Sequence, residues 1–331
     1  MSDPDCAAHS VTLRSGETLE IELLEPPVRR SQAREIGRHI QRFLDEPFIP
    51  ELLAGAHAES FSIRVVAARL RGELVGTGWV GWGRREPESG VMTGVAVKPE
   101  ARDRGVGSAV SAALCRAFDA RGGRRLYAAA ATDAARAIYK KLGFGAMAGQ
   151  LLRRGDGPPM RAAREGGAAL LERPADWGDV PAVVPLYGLP HACVLTDGLA
   201  ELASARVEPP HRCVGLFWRL WDASVARRGA WRVLAAERGP ICASVTARPG
   251  WGGFLFDFLW DADCAAEGDD FVQRTLAEWE RRWGAPRLRT AASDSWKRAT
   301  AAKWGFTRLA ADDEAIRVGA RSFRLVELTR M

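Results

Sequence analysis

The chain of 331 residues has no apolar stretch approaching the length of a membrane helix, which needs about 20 such residues. No membrane span is expected. Its first residues, Met1-Ser2-Asp3-Pro4-Asp5-Cys6, do not join a basic start to an apolar core, so a secretory signal is not indicated and the cytoplasm is the expected compartment. The six cysteines (Cys6, Cys115, Cys193, Cys213, Cys242 and Cys264) include no Cys-x-x-Cys pair, which argues against a zinc site and a disulfide framework. They read as reduced, mostly buried thiols, and no metal is expected. Basic runs interleaved with aromatics are also missing, so nucleic acid is not an indicated partner.

What is present is an ordinary globular composition, 47% apolar and 27% charged, in a chain long enough for two domains. The net charge is +6, and most of the basic excess lies before residue 166. That balance suits a site for an anionic cofactor, and an arginine-rich solvated surface would give it equally. The chain also repeats itself. Arg64-Val65-Val66-Ala67-Ala68-Arg69-Leu70-Arg71-Gly72 is echoed by Arg232-Val233-Leu234-Ala235-Ala236-Glu237-Arg238-Gly239, each followed by an apolar return strand, Leu74 to Val80 and Ile241 to Val245. Further on, Lys141-Leu142-Gly143-Phe144 is echoed by Lys303-Trp304-Gly305-Phe306 at nearly the same separation. Two copies of one fold are expected.

In the first copy, apolar runs and breakers place strands near Leu19–Leu24, Val91–Val97, Arg125–Ala130 and Met147–Leu152, besides the hairpin. Helices fall at Ser31–Phe43, Gly105–Ala120 and Asp133–Leu142. Hairpins followed by β-α-β-α-β imply an α/β fold with a mixed sheet and helices on its faces. Arg153–Gly167, rich in Arg, Gly and Pro, reads as a linker, giving domains at 1–155 and 168–331 with residues 156–167 between them. The second copy has a longer helical lead-in, Trp177–Val225, and closes with a hairpin near Ile316–Leu328.

The chemistry is concentrated in one segment. Val95-Ala96-Val97-Lys98-Pro99-Glu100-Ala101-Arg102-Asp103-Arg104-Gly105-Val106-Gly107-Ser108 reads as a strand, a turn and a glycine-rich loop that opens a helix. A helix N-terminus leaves about four N–H groups unpaired and carries about half a positive charge, so a pyrophosphate is stabilised there. Gly105 and Gly107 allow close approach, and Arg102 and Arg104 add forked donors.

This loop resembles the pyrophosphate loop of the GNAT superfamily, Arg/Gln-x-x-Gly-x-Gly/Ala after a strand ending in Val-x-Pro, with Arg102, Gly105 and Gly107 in register. About thirty residues on, Ala135-Arg136-Ala137-Ile138-Tyr139-Lys140-Lys141-Leu142-Gly143-Phe144 resembles the family's Ala-x-x-x-Tyr-x-x-x-Gly-Phe helix. The resemblance implies that the strand Val91–Val97 splays from its neighbour to make a slot for pantetheine. Backbone groups of Val95, Ala96 and Val97 would hold the arm, and residues 102–108 the pyrophosphate, Asp103, Val106 and Ser108 included. Thr132 stands where the family often has asparagine, beside Ala135 at the start of the helix motif. Tyr139 would protonate the departing thiolate, and its alternative role is a core-facing tyrosine on an amphipathic helix.

An acceptor ammonium must also lose a proton before it can attack. The strand Val91-Met92-Thr93-Gly94 carries no carboxylate, which leaves Glu86, Glu88, His39, His57 and Glu59 as candidate bases, each with a solvated surface role as the simpler reading. In the second half, the loop position falls at Ala265-Ala266-Glu267-Gly268-Asp269-Asp270 and the tyrosine position at Ala301, so this copy reads as degenerate. Ten of the twelve tryptophans lie there, as packing or, near Trp251-Gly252-Gly253, as a groove.

The resulting expectation is a tandem GNAT protein whose first domain is an acyltransferase moving an acyl group, acetyl in the first instance, from acetyl-CoA or another acyl-CoA to a small-molecule amine. An acyl carrier protein's phosphopantetheine is an alternative donor. A non-catalytic acyl-CoA-binding regulator is the alternative of another class.

Overall fold

A computed structural model describes residues 9–44, 46–156, 168–208, 213–237, 239–308, 315–318 and 320–330. Cys6 and most of the expected linker lie outside the described residues. The chain divides into two compact units. The first holds the described residues through Ala146, with Leu152–Asp156 and, further along, Trp177–Pro181.

In this first unit the elements run β1 (His9–Thr12), β2 (Thr18–Leu24), α1 (Arg30–Phe43), α2 (Ile49–Leu53), β3 (Phe61–Leu70), β4 (Glu73–Gly83), β5 (Ser89–Val97), α3 (Val106–Ala120), β6 (Arg125–Ala129), α4 (Asp133–Lys141), the first half of β7 (Gly145–Ala148) and most of β8 (Leu151–Gly155). The sheet order is β1-β2-β3-β4-β5-β6-β8-β7, with β5 and β6 parallel. The single strand expected at Met147–Leu152 is two, because a turn at Gly149, with φ of +55°, breaks it. Residues 153–155, expected in the linker, finish β8.

Alternation along the strands sets the two faces. Val80 and Met92 join Val110, Leu114 and Phe118 of α3 in a largely aliphatic core. Trp79, the neighbour of Val80, points to the opposite face and meets Phe48 and Phe61 edge-on at 6.5 and 6.3 Å. Trp177 completes this aromatic group, stacked on His57 at 4.3 Å and tilted against Phe48 at 5.7 Å.

The second unit contains β9 (Leu170–Pro174), most of α5 (Val180–Gly188), β10 (Leu195–Asp197), β11 (Leu202–Ala203), α6 (Cys213–Ala223), β12 (Ala230–Ala236), β13 (Ile241–Gly250), β14 (Gly253–Trp260), α7 (Ala265–Trp283), β15 (Ala285–Ala291), α8 (Ser295–Lys303), β16 (Thr307–Arg308), β17 (Ala315–Val318) and β18 (Arg321–Thr329). Its sheet order, β9-β12-β13-β14-β15-β18-β16 with β17 on β18, repeats the order of β2 to β8 in the first. The expected helical lead-in is two helices separated by the β10–β11 hairpin. The first helix stops at Gly188, two residues before Pro190.

The cores differ in kind. Phe254, Phe256, Phe258 and Trp260 alternate along β14 on one face and pack with Trp279, Trp304 and Phe306. Most of the second half's tryptophans are thus packing residues. Trp251, where a groove was expected, is 98% exposed at the β13–β14 turn.

On the other face of β14, Asp197, Asp257, Asp294 and Lys297 are all completely buried. Lys297 Nζ is paired with Asp257, and Thr246 Oγ1 donates to Asp197 at 2.6 Å. Burial raises Asp257 to about 7 and raises Asp197 as well. Burial presses the Lys297 ammonium down, but Asp257 and the neighbouring acidic groups outweigh it and hold its pKa above the ordinary lysine value. Removing one partner of a buried pair costs about 3–5 kcal/mol because the other charge is stranded. Lys297→Met is therefore expected to destabilise the second unit by about that much, read as a lowered urea midpoint in tryptophan fluorescence. Lys297→Met with Asp257→Asn should recover a large part of the loss.

Candidate acyl-donor site

The slot arises where a sheet opens. β5 and β6 pair from Ser89↔Arg125 to Met92↔Ala128 and then separate, while β5 runs on to Val97. A bulge sits at the point of separation: Thr77 faces Ala96 and Trp79 faces Thr93, so Gly94 and Val95 together oppose Gly78. Gly94 has a φ of +68°, and a Cβ there would come within 2.6 Å of the Trp79 ring. The bulge reverses the alternation. Thr93 reaches the face of Trp79, while Val95 packs with the α3 core.

Of the backbone groups expected to meet pantetheine, the Ala96 carbonyl accepts from His39 Nε2 and the Val97 carbonyl from Arg102 Nε, both at 3.2 Å.

Beyond β5, a 3-10 turn at Pro99–Ala101 leads to four residues, Arg102 to Gly105, before α3 begins at Val106. Asp103 and Gly105 take left-handed φ values of +60° and +94°. Among the described residues, no acceptor meets the N–H groups of Asp103, Arg104, Gly105, Val106, Gly107 or Ser108. Six successive free donors in such a turn form an anion cradle at a helix N-terminus. Gly107 is not required by packing, since a Cβ there would lie an ordinary 3.6 Å from Val97 and Ile138. The two arginines are not equally free. Arg102 also lies over the Phe43 ring at 5.9 Å, whereas Arg104 is ion-paired with Glu17, which the β1–β2 turn brings alongside.

On α4, the Thr132 hydroxyl caps the helix by accepting the Ala135 N–H at 3.2 Å. Tyr139 is the buried residue of this helix, 5% exposed, with its ring 5.5 Å from Phe144.

The candidate bases disperse. Glu86 is buried beside Arg125 at 3.1 Å and Ser89 at 2.6 Å, at the paired start of β5 and β6, and burial raises its pKa. Glu88 lies 3.6 Å from Arg124, His57 is stacked on Trp177, and Glu59 is exposed. The carboxylate that does reach the apex of the slot is Glu46, which sequence reasoning missed. It is 6% exposed and accepts from Trp79 Nε1 at 3.3 Å and Thr93 Oγ1 at 3.1 Å. Its one mark in the sequence is its place between helix α1 and the apolar Phe48-Ile49.

The second unit has the same opening and fills it. β14 and β15 pair from Gly253↔Ala285 to Phe256↔Leu288 and then part. Into the gap runs Val194–Gly198. The N–H groups of Val194 and Leu195 donate to Asp294 at 3.2 and 3.4 Å, that of Gly198 donates to Asp257, and Lys297 donates to the Thr196 carbonyl at 3.3 Å. A Cβ on Gly198 would meet the Arg289 carbonyl oxygen at 2.1 Å, so the fit is tight. The loop has gone too. Val97 and Trp260 end equivalent strands, and Ala120 and Trp283 equivalent helices at the same separation, yet Ala265–Gly268, matching Arg102–Gly105, are helical in α7. The expected change from basic to acidic side chains is accompanied by a change of backbone.

Among the described residues, no group of three or more His, Cys, Asp or Glu is placed to hold a metal, and no helix is long and apolar enough to cross a membrane. Cys115, Cys193, Cys242 and Cys264 are buried, and burial pushes the Cys115 and Cys193 thiols up to about 11 and about 12.

Residues 29–144 match the profile of the Acetyltransferase (GNAT) family. This segment of the first unit is a domain of that family. No curated protein matches the chain. Similar solved structures include spermidine N-acetyltransferase from Vibrio cholerae in complex with CoA and spermine, at 12% identity over 48% of this chain and 94% of that one, TM-score 0.38. Ribosomal-protein-alanine N-acetyltransferase from Brucella melitensis matches at 12% identity over 49% and 99%, TM-score 0.38. The GNAT domain of S. lividans PAT matches at 15% identity over 46% and 97%, TM-score 0.36.

His39 gives this site a pH signature. Burial holds its imidazole below the ordinary 6.5. As pH falls below that value the unfolded imidazole takes up a proton that the folded one refuses, so folding stability drops until the lowered folded pKa is passed. His39→Gln is expected to flatten that decline, measured as urea midpoints between about pH 5 and 7.5.

Proposed function

We propose that the first unit is an N-acyltransferase of the cytoplasm that moves an acyl group, acetyl in the first instance, from a CoA thioester to the amine of a small molecule. The observation that carries this reading is the run of six free N–H donors from Asp103 to Ser108 in a segment that matches the acetyltransferase family. The pyrophosphate would lie on residues 102–108, with Arg102 supplying most of the side-chain charge because Arg104 is engaged by Glu17. The pantetheine would run along Val95, Ala96 and Val97, with Ala135 and the capping Thr132 bordering the slot.

The amine attacks the thioester carbon directly, and Tyr139 protonates the sulfur as the tetrahedral intermediate collapses. A general acid contributes about 10²- to 10⁴-fold. Tyr139→Phe should therefore lower kcat by about that factor while acetyl-CoA binding, followed by calorimetry, is retained. If acyl transfer to amines survives this change intact, the assignment of Tyr139 is wrong.

Gly107→Val tests the cradle separately. Its melting temperature should stay near that of the wild type, and acetyl-CoA affinity should fall at least tenfold, about 1.4 kcal/mol. The second unit, its opening filled by Val194–Gly198, is read as a degenerate copy that takes no cofactor, so titration should saturate at one acetyl-CoA per chain. Turnover of a carrier-bound thioester in preference to acetyl-CoA would reassign the donor. CoA binding without acylation of any amine in a broad panel would make the chain a regulator instead.

A further inference from the structure

We infer that Glu46 is the acceptor-side carboxylate of the first unit, the group that pairs with the incoming ammonium and removes its proton. The inference rests on the acyl-transfer reading of the same slot. Trp79 and Thr93 are direct cross-strand partners on β4 and β5, and both side chains donate to the two oxygens of Glu46. Thr93 is the first residue of β5 beyond the last pair with β6, and it precedes the bulge at Gly94. The carboxylate therefore stands at the closed end of the slot, about two residues, or roughly 7 Å, along the strand from Val95, where the pantetheine track begins.

A thioester at the end of that track places its carbonyl carbon toward the apex. The acceptor nitrogen has to reach the same point. A carboxylate buried at this point, where Trp79 and Thr93 fix its orientation, favours a cation there over any neutral nucleophile. Glu86, the other buried glutamate of this unit, is braced by Arg125 at the opposite, paired end of the strands.

The step balances as follows. Glu46 takes one proton from the ammonium, freeing the nitrogen lone pair, which forms the C–N bond at the thioester carbon. The C–S bond breaks and the sulfur takes the phenolic proton of Tyr139. The second nitrogen proton, shed on collapse, restores the tyrosine, and the proton on Glu46 passes to solvent. The products are the amide, the free thiol and one proton.

The test uses Glu46→Gln in the full chain, because a glutamine can still accept from Trp79 and present its amide to the Thr93 hydroxyl. Two acceptors are compared with acetyl-CoA: the primary alkylamine that the wild type acetylates best, and hydroxylamine, which is largely unprotonated at neutral pH and needs no base to free its lone pair. The expected result is a kcat lower by about 10²-fold or more with the alkylamine, unchanged turnover of hydroxylamine, and unchanged acetyl-CoA binding by calorimetry. Equal losses with both acceptors, or no loss with the alkylamine, overturn the assignment of Glu46 and leave acyl transfer standing. A wild type that acetylates neither acceptor overturns both readings. Should the glutamine variant not fold, Glu46→Asp, which withdraws the carboxylate without removing it, is judged by the same split between acceptors.

Discussion

A sheet that opens in its middle exposes backbone groups that must find partners, and this requirement governs both halves of the chain. In each unit one parallel strand pair holds for four residues and then parts. The second unit answers internally. Its own backbone at Val194–Gly198 enters the gap, anchored by Asp294, Asp257 and Lys297, and the turn that would have faced a phosphate is wound into the start of α7. In the first unit the N–H groups of residues 103–108 meet no acceptor among the described residues.

The bulge at Gly94 lets one strand serve two purposes. Without it, Thr93 and Val95 would lie on the same face. With it, Thr93 turns to Glu46 while Val95 stays in the core under α3. The strand is therefore bordered by a buried carboxylate among aromatic rings on one side and by an aliphatic core on the other.

The repeat, the strand order implied by hairpins and βα units, and the loop from Arg102 to Gly107 were all legible, because each is written in local periodicity or in glycine positions. What was not legible depended on contacts between distant segments. Glu46 meets its partners at Trp79 and Thr93, more than thirty residues away, and its place between a helix and two apolar residues does not point to them. The neutralisation of Arg104 by Glu17 comes from a turn far upstream. Lys297 is an ordinary helix residue by pattern and completely buried in fact, since the aspartate paired with it lies on β14 and the two whose charges also favour its ammonium lie on β10 and at the cap of its own helix. The lead-in to the second copy looked helical because its apolar residues are dense, and the short strands β10 and β11 carry no alternation long enough to announce themselves.

Trp177 shows that sequence order and spatial membership part company at the boundary. It follows β9, whose partner strand is β12 of the second sheet, yet its ring closes the aromatic group of Phe48, His57 and Phe61 in the first unit. The Gly178 carbonyl behind it lies so near Gly83 that a Cβ at that glycine would be 2.0 Å from its oxygen. Severing the chain after β8 would therefore not liberate a finished domain. The amputated piece would keep every strand of its sheet and lose the plug from its own wall, baring the rings beside α1, which carries His39, and the segment after it, which carries Glu46.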